Sequence, residues 1–263
     1  MEGLKMTIQE YYKNYDEENR FSSRHGMVEF ITTMRYIEKY VAMGAKIIEI
    51  GAGTGRYSRA LAQRGYSVDA VELVEHNIDI FKSKISDGDN ITVTQGNATD
   101  LLGFDSEKYD AALLLGPMYH LFTEEEQRRA LSEAVRVTKQ GGIIFIAYCM
   151  GDATLLTYGF VRGYLDEIMS DCGLGSNFRK FEKPWGIFQL YRVEDIEALR
   201  KRVGVDSLCL VGADGYANHM RDALEKMDEE SFRLFLQYHL AVCERPELIG
   251  MSHHTIDIVR KRN

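Results

Sequence analysis

The residues best placed to do chemistry gather around the stretch IIEIGAGTGRYSRAL, Ile47 to Leu61. Gly51, Gly53 and Gly55 stand at alternate positions where a strand pattern hands over to a helical one. Glycine adopts backbone angles that other residues resist, and it removes side chains that would keep a ligand from the main chain. The helix that follows turns its positive end toward the same point. A tight turn with glycines for packing alone is the bland reading, but three alternate glycines exceed that need. The stretch therefore reads as a binding loop. Its spacing is G-x-G-x-G, whereas a dinucleotide loop asks for G-x-G-x-x-G. Two other segments carry groups able to move a proton. LGPMYHLF, Leu115 to Phe122, offers Tyr119 and His120, and YYKNYDEENRFSSRHG near the N-terminus offers His25. Capping or packing of the next helix is the other reading of His120.

The elements that must hold these groups follow from periodicity. Val28, Ile31, Met34, Ile37 and Val41 recur at helical spacing, and Gly44 closes that helix. Strands are expected at Lys46–Ile50, Ser67–Glu72, Ile91–Gln95, Ala111–Leu115 and Ile143–Tyr148, with helices at Arg56–Arg64 and His76–Ile85 between them. Thr123 to Glu126 reads as a capping box opening a further helix, with Gly141-Gly142 as its stop. Beyond Gly151 come helices at Leu155–Met169 and Val193–Val203, a strand at Asp206–Val211, helices at Tyr216–Met227 and Glu230–Arg245, and a last strand at Thr255–Arg260. The expected fold is α/β: a doubly wound, mostly parallel seven-stranded sheet. A helical N-terminal segment would occupy residues 1–45, the main domain 46–263, and a helical insertion about 213–250.

With 263 residues the chain can bury a substantial core. Its net charge of −8 disfavours attraction to nucleic acid or an anionic membrane. Cys149, Cys172, Cys209 and Cys243 form no C-x-x-C pair, which argues for reduced thiols and against structural zinc. His253 and His254 precede the last strand, where neighbours point oppositely, so no metal is expected there. The longest apolar run, Ile143 to Met150, is too short to span a bilayer, and the N-terminus lacks the apolar core of a signal peptide. A cytoplasmic protein is expected, as a monomer or homodimer.

The glycine loop has company in the right order. EIGAGTG, then VDAVELVEHNI, TQGNATDL, YDAALLLGPMYHLF and VTKQGGIIFIAY lie at successive strands. This series resembles the class I S-adenosylmethionine-dependent methyltransferases, of the small-molecule type, over roughly residues 28–150. The resemblance implies S-adenosylmethionine as cofactor and a small molecule as methyl acceptor. Gly51, Ala52, Gly53 and Gly55 would form the cofactor loop, and Glu49 would position the methionine amino group. Glu72 at the second strand tip would accept hydrogen bonds from both ribose hydroxyls, with Leu73 beside the adenine. Where the family usually has an aspartate facing the adenine amino group, this chain has Asn97, followed by Ala98; Asp100 is a possible substitute. Leu115 would lie at the methyl-transfer point. Tyr11 and Arg24 in the lid would shield the cofactor, and Tyr119, His120 and His25 are the candidate bases.

Methyl transfer from a sulfonium needs alignment rather than a covalent enzyme intermediate, and alignment alone can contribute on the order of 7–11 kcal/mol. The loop after strand four lacks the N-P-P-Y signature of base and glutamine methylation. Three other functions share part of the pattern. A nicotinamide-dependent oxidoreductase shares the sheet without the spacing, a non-catalytic cofactor-binding regulator shares every motif, and an RNA methyltransferase is opposed by the acidic charge.

Overall fold

Central strands flanked by helices on both faces lose the polar–apolar alternation and read as apolar runs. That is the case for β1 (Lys46–Ile50), β4 (Tyr109–Leu114) and β5 (Thr138–Met150) in the computed structural model of the chain, which describes residues 7–262. With β2 (Ser67–Glu72), β3 (Ile91–Gln95), β7 (Asp206–Gly212) and β8 (His254–Arg260) they form a sheet in the order β3-β2-β1-β4-β5-β8-β7. Pairings from β3 through β5 are parallel, and β8 runs antiparallel between β5 and β7. This is the expected, largely parallel seven-stranded sheet. A two-residue β6 (Leu190–Tyr191), inside what reads as loop, extends it by pairing with Cys149 and Met150.

Helices divide the core into two faces. On one, Ile47, Leu113 and Phe145 pack with Ile37 of α2 (Arg24–Tyr40) and Leu61 of α3 (Arg56–Ala62). On the other, Ile48, Leu114 and Ile146 meet Leu131 of α5 (Glu124–Val137) and Ile196 of α8 (Val193–Val203). The α4 helix (Glu75–Ser83) follows β2, and its Phe81 packs with Ala52 and Ala70. The capping box is present: Thr123 Oγ1 accepts from Glu126 N at 3.2 Å, and Glu126 Oε2 from Thr123 N at 3.1 Å.

Three local expectations give way. α5 ends at Val137, and Gly141-Gly142 lies inside β5. The register of β4 on β5 shifts there, and a Cβ on Gly142 would sit 2.8 Å from the Asp110 carbonyl oxygen. These glycines admit an irregular strand rather than stop a helix. The expected helix from Leu155 is a short α6 (Gly151–Thr154) continued by π-helical turns over Leu155–Val161; Gly163, at φ 83°, separates it from α7 (Leu165–Asp171). The helix expected from Tyr216 starts only at Arg221 (α9, Arg221–Lys226), because 215–220 is a run of turns opened by Gly215 at φ 51°.

The N-terminal region, of which residues 1–6 lie outside the described residues, contributes α1 (Ile8–Asn14) and α2. Besides packing on the sheet, α2 contacts the segment between β7 and β8, which carries α9, α10 (Glu229–Val242) and α11 (Pro246–Ile249). Val28 packs with Ala217, Leu224 and Phe232, and Thr32 Oγ1 lies 3.0 Å from His239 Nε2. Among the described residues no helix is long and apolar enough to cross a membrane.

Candidate active site

The chain order reverses between β1 and β4, and in open α/β sheets ligands bind at the carboxyl ends of the strands flanking that point. A cavity of about 390 Å³ opens there. The glycine loop shapes its floor, and the three glycines have different tasks. Gly51, at φ 76°, brings the loop against the turn after β4: a Cβ would lie 2.6 Å from Pro117 Cδ. Gly53, at φ 55°, lines the cavity and faces Glu17. Gly55 is different, because a Cβ there would fall 2.1 Å from the Phe81 ring. It serves the packing of α3 on α4, and it is not among the residues lining the cavity.

At the tip of β2, Glu72 is 5% exposed. Its Oε2 accepts from Gly53 N at 2.8 Å and its Oε1 from Val74 N at 2.9 Å. Burial raises its pKa, against the pull of these amides. A carboxylate offers about four lone-pair positions, so acceptor capacity remains for a diol. Asn77, which sequence reasoning missed, stands beside it. Its amide donates to Glu72 Oε1 at 3.4 Å, while its buried Oδ1 has no partner and lines the same cavity. Nothing in the motif marks it, since it reaches the site from the first turn of α4.

Glu49, two residues before the loop, is 2% exposed and accepts a hydrogen bond from the Ser58 hydroxyl. Burial pushes its carboxyl up to about 8. A buried acid of this kind invites a cation, as an ammonium supplies the missing charge partner. Leu73, Gly96, Asn97 and Ala98 line the opposite end. Here the expected adenine contact changes: Asn97 Oδ1 already accepts from Thr99 N and Thr99 Oγ1, each at 3.0 Å. Asp100 forms a bridge with Asn97 and does not line the cavity. The lining thus fits S-adenosylmethionine at the amino group and ribose, through a buried acid, a strand-tip carboxylate and an orphaned amide oxygen.

The proton-transfer candidates are positioned as follows. His120 lies in a 3₁₀ turn, Pro117–His120. Its Nδ1 is 2.9 Å from the Ile187 carbonyl, which can only accept, so Nδ1 carries the proton and Nε2 accepts from Tyr12 at 2.9 Å. Burial lowers its pKa to about 4. With both nitrogens occupied, His120 holds Tyr12 in place. Tyr119 lines the cavity and donates to the Leu115 carbonyl at 3.0 Å. Arg24 requires a correction: its guanidinium donates to the Leu224 and Met227 carbonyls and pairs with Glu229, so it ties α2 to the region around α9 and does not line the cofactor cavity.

Tyr11 and His25 line a second chamber of about 370 Å³. Tyr12, Glu17, Arg20 and Tyr119 border both chambers, and a passage between the two would lie among them. Glu17 and Arg20, three apart in the aromatic N-terminal segment, are further residues the sequence reading passed over. Arg20 pairs with Glu29 at 2.6 Å and approaches Glu17 at 3.8 Å. Burial raises Glu17 to about 7, against the attraction of Arg20. His253 and His254 also line this chamber, with ring centroids 4.8 Å apart. The expectation that they point to opposite sides fails because His253 precedes β8. His254 Nδ1 lies 3.0 Å from Asp214 Oδ2 and 3.3 Å from Glu29 Oε2. Burial opposes a charged His254, but Glu29, Cys149 and Asp214 outweigh it and raise its pKa well above the usual value.

Residues 47–142 match a family model described as a methyltransferase domain. A demethylmenaquinone methyltransferase of Clavibacter sepedonicus is 34% identical over 103 residues, which are 39% of this chain and 40% of that protein. A putative methyltransferase of Geobacillus is 27% identical over 166 residues, 61% of each. The chain thus spans 40% and 61% of the length of these two curated relatives. Among solved structures, a methyltransferase of Thermotoga maritima described as a possible histamine N-methyltransferase superposes with a TM-score of 0.58. That match covers 96% of this chain and 98% of the other at 16% identity, and it shows the fold alone. The domain match, the sheet order and a cavity that fits the cofactor at its amino group and ribose agree: residues 47–142 form a methyltransferase domain of the kind that takes S-adenosylmethionine as its cofactor.

Proposed function

We propose that this protein transfers a methyl group from S-adenosylmethionine to a small-molecule acceptor held in the second chamber. One observation carries the reading. The two chambers share a wall of four residues, Tyr12, Glu17, Arg20 and Tyr119, so a ligand in each would meet at that wall. When bound, the cofactor supplies an activated methyl group. The chain's own part is to align the acceptor, exclude water and accept a proton where the acceptor must lose one. Glu17 suits that last role: it stands at the passage with a carboxyl raised by burial to about 7, and a base there can contribute ~10²–10⁴-fold. Tyr12, held by His120, and Tyr11, stacked on Tyr15 with ring centroids 5.3 Å apart, cover the reacting centre.

The test has two stages. Thermal shifts with S-adenosylmethionine, S-adenosylhomocysteine and NAD come first. Either sulfur nucleoside at a hundred times its dissociation constant stabilises by about 2.7 kcal/mol, a rise of roughly 5–10 °C for a chain of this size. A shift with NAD alone, or with none of the three, overturns the proposal. In the second stage, acceptor-dependent release of S-adenosylhomocysteine separates the enzyme from a cofactor-binding regulator. Glu17→Gln should slow that release while leaving S-adenosylhomocysteine affinity within about twofold.

A further inference from the structure

The second chamber holds more charged groups than an apolar acceptor needs, and most of them cancel. Arg20, Glu29, His254 and Asp214 follow one another in contact at 2.6, 3.3 and 3.0 Å, two cations alternating with two carboxylates. Glu17 stands beside this chain, and its carboxyl, raised to about 7, is only partly charged at neutral pH. Arg221 is left over. Its Nε donates to Asn218 Oδ1 and its Nη2 lies 3.4 Å from the Tyr158 hydroxyl. Among the described residues no carboxylate oxygen lies within 4.0 Å of its guanidinium. It lines the chamber half-buried, where an uncompensated charge is costly.

A second, independent observation stands next to it. Asn218 is 2% exposed and lines the same chamber. Because the Arg221 Nε–H can only donate, the Asn218 atom facing it is Oδ1, which leaves Nδ2 as a buried donor without a partner. His253, on the same wall, has a buried Nδ1 without a partner. A guanidinium beside a free amide donor is the complement of an oxyanion. Much of the remaining wall is aromatic. Tyr158, carried on the π-helical turns, lies 5.2 Å from Trp185 and 5.6 Å from His253, centroid to centroid. From Tyr119 at the passage, the rings step through His254 and His253 to Tyr158 and so to Arg221.

We infer that the methyl acceptor is an organic acid with a ring-sized apolar body, its carboxylate or phosphate held by Arg221 and Asn218 while the atom to be methylated reaches the passage at Tyr119 and Glu17. The inference rests on the methyl-transfer reading and narrows it. The acid anchors the acceptor at the end of the chamber remote from the cofactor, and the aromatic wall between sets the length that places the reacting atom.

The full chain saturated with S-adenosylhomocysteine tests this by calorimetric titration with four probes: phenylacetate, phenyl phosphate, phenylacetamide and phenethylamine. At least one acid should bind about tenfold or more tighter than the neutral amide, with the amine weakest. The better of the two acids identifies the oxyanion. Arg221→Gln should remove the preference and leave S-adenosylhomocysteine affinity within about twofold. Asn218→Asp, which places a carboxylate against Arg221 at nearly unchanged volume, should do the same and serves if the first variant melts abnormally. Amide or amine binding as tightly as the acids, no acid binding at ~10 mM, or a preference that survives in the folded variants overturns the inference. Failure of the wild-type chain to bind S-adenosylhomocysteine, measured before any probe is added, would instead sink the methyl-transfer reading.

Discussion

Glu49 allows a quantitative test of the cofactor site through proton release. The carboxyl is buried and accepts a hydrogen bond from Ser58. Burial pushes it up to about 8, Ser58 pulls against that, and Glu72 across the loop adds to the rise. Tyr57 is the other titratable neighbour, itself raised far out of range by burial. At pH 7 a group titrating near 8 is about 0.9 protonated. If the ammonium of S-adenosylhomocysteine docks on Glu49, its pKa falls toward the ordinary range and that proton leaves. Titration at pH 7 in buffers of different ionisation heat should therefore show release of about 0.9 proton per ligand, falling to about 0.5 at pH 8. Affinity should rise close to tenfold per pH unit between pH 5.5 and 7, or about 1.4 kcal/mol each, and level off above 8. Glu17 borders the same cavity with a carboxyl near 7, so Glu17→Gln is the control that removes its contribution. In the Glu17→Gln background, Glu49→Gln should abolish the release. Release below about 0.3 proton at pH 7, or an undiminished value from Glu49→Gln, would refute the placement of the ammonium.

Two further outcomes test the local physics. The unliganded chain should lose stability between pH 6.5 and 8. Glu49 is raised in the folded state, so the folded chain binds the extra proton and its contribution disappears as pH climbs through about 8. Over that window the loss is about 1.6 kcal/mol from Glu49 alone, and melting curves of Glu49→Gln should lack it. Gly55→Ala should be strongly destabilising, on the order of 2–4 kcal/mol, since it combines a positive φ with a collision at Phe81. Gly44→Ala, with a similar φ and open space around it, should cost about 1–2 kcal/mol; equal losses in urea melts would show that the collision contributes nothing.

The cofactor half of the molecule was legible because its signals are local. Strand-like runs between glycine turns placed β1, β2 and β3 to the residue, and the alternate glycines marked the loop at the end of β1. Errors arose where one residue type serves two purposes. Gly141-Gly142 looks like a helix stop because glycine often ends helices, yet here it lets β5 pass close to the Asp110 carbonyl. Gly55 looks like part of the ligand loop, yet its missing side chain makes room for Phe81 from the next α/β unit. A spacing rule records that glycine is required and leaves open what approaches it.

The acceptor half was illegible for a different reason. Its walls come from segments about two hundred positions apart: Arg24 is bound to the Leu224 carbonyl, Thr32 faces His239, and Tyr36 donates to Glu244. No periodicity in either segment announces the other. Glu17 and Arg20 lie shortly before α2, which is fastened to the helices before β8, and those helices begin just past Asn218, at Arg221. The proposed base and the proposed acid anchor thus lie on segments joined to each other across the chain. A change at Arg24 or Tyr36, neither of which lines a chamber, would on this reading move the reacting end and the anchoring end together. On the proposed reading, acceptor choice is therefore a property of that junction as much as of the residues that touch the acceptor.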